Sequence, residues 1–165
     1  MPTRDLQVAA STDDARNAAG NGMFNATVTT QHLGRNAGID YWAGLRFANV
    51  AVPQGAVIQS ASLDLYSSGV AAGSSVPVVF HGEKSANPAA FSNTTAGKPE
   101  GRTRTAATVT KTFDPAQWNP ETGFGVDVVD VTALVQEIVD QPAFASGNAI
   151  ALIGHDNGAA NNNFI

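Results

Sequence analysis

The sequence predicts an all-β fold, a two-sheet antiparallel jelly-roll sandwich with one short helix near 132–140. Three observations carry this. Short β-branched or alternating segments recur along the chain, separated by Gly, Pro and Asn turns. Only one stretch has helical spacing, which excludes an alternating α/β fold. A chain of 165 residues with no internal repeat fits one domain, 1–165, long enough to bury its own core.

Taken in order, residues 6–10 (LQVAA) read as a first strand closed by Asp13 and Asp14. Residues 16–26 hold glycines and asparagines that permit left-handed turns, and read as loop. Residues 27–30 (TVTT) are β-branched throughout and read as a short edge strand, with another loop at 34–40. The stretch 44–66 then reads as strand, turn at Pro53 and Gly55, and strand, a pair around which the rest packs. In its second arm Ala61, Leu63 and Leu65 alternate with Ser62, Asp64 and Tyr66, so one face is buried and one wetted. Ile58 is out of phase with Ala61, and a bulge at Gln59–Ser60 restores the phase.

Residues 67–75 read as a Gly/Ser turn, followed by a strand over Val76–Glu83 with Pro77 at an edge or a strand start. The stretch 84–105 is a long loop of the kind that is functional or mobile. Strands follow at 105–113 and 125–131, with a structured loop between them that carries Pro115, Trp118 and Pro120. In the helix at 132–140, Leu134, Val135 and Ile138 share one face; Asp130 or Thr132 caps it and Pro142 stops it. An apolar strand at 148–153 and the opening of one more strand at Phe164 and Ile165 complete the set.

Composition narrows the function classes. Cysteine is absent, so neither disulfides nor thiolate metal sites are available. A net charge of −5, from 9 basic and 14 acidic residues, argues against a nucleic-acid surface, which needs a cationic stripe. Charged residues make up only 14%, in keeping with secreted or assembled β-proteins. No run approaches the ~20 apolar residues of a membrane span. Near the start, Arg4, Asp5, Asp13 and Asp14 occupy the place of a signal peptide's apolar region. The expectation is a signal cut away, or a protein that reaches its site without secretion, as virion proteins released by lysis do. The expected location is a virion or the extracellular space.

Two blocks carry a resemblance. In the first, Arg46, Phe47, Pro53, Gly55, Ile58, Ala61, Leu63 and Leu65 form a strand end, a proline-glycine turn and an apolar strand. In the second, Asp130, Val131, Thr132, Val135, Gly147, Ile150 and Leu152 form a turn, a short helix and an apolar strand. Together they resemble DNRLRE-type domains, jelly-roll sandwiches grouped with carbohydrate-binding module family 96. The stretch 67–128 between them matches only loosely. Such domains usually end in one further strand, and the expectation is that this strand is cut short after Ile165 or supplied by a neighbouring chain. The resemblance implies a non-catalytic binding or structural role and does not choose the ligand.

The ligand-binding candidates are Tyr41, Trp42, Trp118 and Arg46. Sugar rings pack their C–H faces on aromatic planes, so the two Trp and Tyr41 are the stacking candidates. Core anchoring is the commoner fate of a lone Trp, and aromatics are only 7% of the chain. Arg46 reads as a ligand donor or, more commonly, as an ion-paired surface residue with Asp64 across the hairpin. No cofactor is expected, with a structural Ca²⁺ assembled across loops as the alternative. A structural Ca²⁺ needs six to eight oxygens, and Asp13–Asp14, Asp127–Asp130 and Asp156–Asn157 lack the spacing of a known calcium loop. His81 with Glu83, and His155 with Asp156, lack the HExxH spacing of zinc enzymes, and no GxSxG is present, so no enzyme activity is expected. The function expected is that of a structural or adhesive phage virion protein, a capsid decoration or tail component, whose partners are its own copies or neighbouring virion proteins. The alternative is a carbohydrate-binding module of a secreted polysaccharide-active or cell-wall protein. Neither nucleic acid nor membrane is an expected partner.

Overall fold

A computed structural model of the chain describes residues 3–20, 22–27, 30–66, 75–114, 126–159 and 163–164. Ten strands form within them: β1 (Asp14–Ala18), β2 (Phe24–Asn25), β3 (Gly34–Asn36), β4 (Ile39–Phe47), β5 (Ser62–Tyr66), β6 (Val76–Glu83), β7 (Arg104–Phe113), β8 (Val126–Asp130), β9 (Ile150–Asp156) and β10 (Asn163–Phe164). The helix α1 spans Thr132–Val139. Eight strands build one sheet along the path β10-β3-β4-β9-β6-β7, with β1 attached to β4 and β2 to β1. β5 and β8 form a second sheet of two strands, and every pairing is antiparallel. The chain is an all-β two-sheet sandwich of jelly-roll-like character, and a lopsided one.

The core lies between the sheets. Ala43, Leu45 and Phe47 of β4, Ile150 and Leu152 of β9, and Val76, Val78 and Phe80 of β6 meet Leu63 and Val129 of the small sheet. The buried stripe of α1, Leu134, Val135, Ile138 and Val139, closes the same core, as its spacing requires. Asp130 Oδ1 accepts from the Thr132 amide at 2.9 Å and the Thr132 hydroxyl at 2.6 Å, which satisfies an orphan donor at the helix start.

Several expectations need correction. The arms of 44–66 do not pair with each other: β4 pairs with β1, β3 and β9, whereas β5 pairs with β8. The turn at Pro53 and Gly55 carries the chain between the sheets, held there by the Gly55 amide donating to the Val139 carbonyl at 3.0 Å. No bulge forms at Gln59–Ser60, because 56–61 is tied to the helix instead of a strand. Gln136 accepts from the Ile58 amide at 2.8 Å and donates to the Ala56 carbonyl at 3.0 Å, while Thr132 accepts from the Ala61 amide at 2.9 Å.

The first strand is Asp14–Ala18, not 6–10, where Leu6 is exposed and no sheet forms, and the stretch 16–26 read as loop instead holds the end of β1 and the whole of β2, which pair with each other. Burial beneath the 84–103 segment selects small residues, and β1 places Ala15 and Asn17 there. The loop expected at 34–40 is a hairpin. Its two turn residues, Ala37 and Gly38, both have positive φ (50° and 80°), between the flanking partners Asn36 and Ile39, which is the backbone that matches strand twist in a two-residue turn.

Of the strand expected at 27–30, Thr27 and Thr30 lie outside any strand, and residues 28 and 29 lie outside the described residues. The turn placed at 67–75, apart from Ser75, and the loop carrying Trp118 also lie outside them. Pro77 sits at the start of β6, which runs between β7 and β9, so the strand-start alternative holds.

Candidate functional site on the outer sheet face

Strand alternation sorts the large sheet into two faces. From β4, Ala43, Leu45 and Phe47 enter the core, which leaves Trp42, Gly44 and Arg46 on the outer face. Cross-strand register places Ala15 and Asn17 of β1 beside Gly44 and Trp42, and His155 of β9 directly opposite Trp42. His155 in turn faces Val79 of β6, and His81 is one step along that strand face.

Part of this outer face is covered by the segment 84–103. Phe91, 3% exposed, lies on the sheet over Gly44 and forms a second small cluster with Ala15, Ala26 and Ala151. A Cβ on Gly44 would sit 2.3 Å from the Phe91 ring, so only glycine admits this contact. Polar groups fasten the same segment. Arg102 donates to both oxygens of Glu83 at 3.0 and 3.1 Å and to the carbonyls of Ala90 and Gly97, and its guanidinium lies 4.9 Å from the Phe91 ring. Burial pushes the Glu83 carboxyl up, opposed by the hydrogen bonds and charge of Arg102 and by the charge of Arg46. Asn17 and Glu100 exchange hydrogen bonds at a third point. The long loop is thus a tied cover, not a free one.

The rest of the face carries a row of flat side chains. Trp42 and His155 stack with ring centroids 3.9 Å apart and 22° between planes. His155 and His81 bring their Nε2 atoms to 3.3 Å, with ring planes 8° apart. The Arg104 guanidinium stands 5.1 Å from the Trp42 ring. Both histidines have pKa values lowered from 6.5. For His81 the causes are burial, then the charges of His155 and Arg104; for His155 burial leads, with Arg104 adding and the Asp156 carbonyl, Asp156 and Asp40 opposing. His155 Nδ1 donates to the Asp156 carbonyl at 2.8 Å, so its Nε2 carries a lone pair and accepts a hydrogen bond from His81 Nε2–H. What results is a neutral, hydrogen-bonded imidazole pair backed by indole.

Of the four residues singled out from sequence, Trp42 belongs to this row and Tyr41 does not. Tyr41 points to the other face, edge-on to His32 at 5.2 Å. Arg46 is a fastening of the cover: it bonds the Pro88 carbonyl at 2.8 Å and pairs with Asp13 at 2.5 Å. The ion-paired reading of Arg46 holds, but its partner is Asp13, because β5 and Asp64 lie in the other sheet. Trp118 is outside the described residues. Sequence reasoning missed that His81 and His155 meet, since 74 residues separate them and only the β6–β9 register joins them.

Among the described residues no three His, Asp or Glu side chains are grouped to hold a metal ion, and no helix is long and apolar enough to cross a membrane. No protein family profile matches this chain, and no curated protein matches it.

Proposed function

We propose that this chain is a non-catalytic structural protein of an assembled particle, a phage virion in which it serves as capsid decoration or tail component. One observation supports this most. Among the described residues β5 and β8 pair only with each other, so no described strand covers the outer edge of either, next to a face bearing Tyr66 at 65% and Val128 at 51% exposure. An open sheet edge is a template for a strand from another chain, and exposed apolar residues beside such an edge suit a covering neighbour. The two sequence blocks that resemble DNRLRE-type domains add to this reading. Copies of the chain, or neighbouring virion proteins, are the partners it implies. The test is co-purification with particles: the chain sediments with them and resists salt washing. A chain that stays in the soluble fraction while binding polysaccharide columns overturns the reading.

A second reading, a carbohydrate-binding module, draws on Trp42 with His155, His81 and Arg104 on one face, an aromatic plane beside hydrogen-bonding groups. It requires retention on a glycan that Trp42→Ala abolishes. That Trp42 already carries His155 and Arg104 as partners weighs against it.

A further inference from the structure

We propose that His81 and His155 form a two-imidazole binding site for a borderline divalent transition metal, Cu²⁺, Ni²⁺ or Zn²⁺, on the outer face of the large sheet. The separation of their Nε2 atoms, 3.3 Å, is the first support. Two metal–nitrogen bonds of about 2.0–2.1 Å at a near-tetrahedral angle put the nitrogens about 3.3–3.4 Å apart. The nitrogens are therefore already at the spacing of a shared metal ion, and each ring must turn to aim its Nε2 lone pair at it. The second support is the tautomer. His155 is held by Nδ1–H donating to a backbone carbonyl, the outer partner that orients metal-bound imidazoles and leaves Nε2 free to ligate.

The third support lies in His81. Its Nδ1 is buried without a hydrogen bond of good geometry, and the Thr105 backbone beside it acts to raise the pKa. Metal binding moves the His81 proton from Nε2 to Nδ1, so that Nε2 ligates and no proton is lost to solvent. Imidazole donors suit Cu, Ni and Zn rather than Ca or Mg. Arg104 opposes a cation here, while Asp40 and Asp156 favour one at His155. With two protein ligands, water fills the remaining positions.

Trp42 makes the proposal readable, because its indole stacks on His155 and Cu²⁺ quenches a nearby indole. In a tag-free Trp118→Phe chain, Trp42 is the only tryptophan. Titration with CuCl₂ is expected to quench its fluorescence to saturation at one ion per chain, and His81→Gln or His155→Gln to abolish that saturation. Quenching that is absent, or unchanged in both variants, overturns the proposal. A second measurement needs no variant: Zn²⁺ added to the ¹⁵N-labelled chain shifts the side-chain nitrogens of His81 and His155 and leaves those of His32 in place. Shifts at His32 alone, or at no histidine, overturn it.

Discussion

The ring of Phe91 rests on the bare backbone of Gly44, and that contact decides where the 84–103 segment lies. A side chain at 44 would occupy the space the ring fills. Gly44→Val is expected to destabilise the fold by about 1–3 kcal/mol through overpacking. Thermal or urea unfolding checks the loss. Limited proteolysis checks its location, with faster cleavage inside 84–103 than elsewhere.

The polar fastening of the same segment gives a second prediction. Arg102 and Glu83 are 9% and 6% exposed, so removing one partner strands a buried charge. Arg102→Ala is expected to cost about 3–5 kcal/mol. The double change Glu83→Leu with Arg102→Met is expected to cost less than the two single changes summed. A urea-unfolding double-mutant cycle measures the coupling, and simple additivity would show that the pair is not coupled.

Much of this architecture was legible in the sequence and part of it was not, for physical reasons. The alternation of Leu63 and Leu65 with Asp64 and Tyr66, and the spacing of Leu134, Val135 and Ile138, report burial directly, because one periodic face is apolar. β1 carries no such signal: its buried positions are Ala15, Asn17 and Ala18, chosen for size beneath a loop. The hairpin at 34–41 did carry one, the Asn36-Ala37-Gly38 turn. Partner choice was invisible throughout. Adjacent segments form hairpins by default, and nothing local shows that the chain after Phe47 crosses to the other sheet, or that His81 and His155 meet across β6 and β9.

The turn itself yields a third prediction. Ala37 holds a left-handed backbone (φ 50°), which a Cβ disfavours by about 1–2 kcal/mol. Ala37→Gly is expected to raise stability by up to about 1 kcal/mol, since glycine also loses more freedom on folding. A melting temperature below that of the parent chain would show that the Ala37 side chain is needed.

Stability should also depend on pH in a fixed direction. His32, His81 and His155 all have folded pKa values below 6.5, with burial the leading cause in each; Arg16 adds to it at His32. Each therefore binds fewer protons folded than unfolded, so stability rises with pH across this window. The full contribution is present above about pH 6.5 and is lost as pH falls through the lowered folded values. Melting temperatures from pH 8 to 5 are expected to be flat and then to fall, and His155→Gln to reduce the fall. A melting temperature that rises on acidification through this range contradicts the assignment.

The central claim is that the small sheet is completed by other chains, and sedimentation velocity of the purified chain over a concentration series tests it most directly. The account predicts concentration-dependent growth beyond the monomer, lost when Tyr66→Glu and Val128→Glu charge the outward face of β5 and β8. A chain that stays monomeric at every concentration, or whose association ignores those two substitutions, contradicts it.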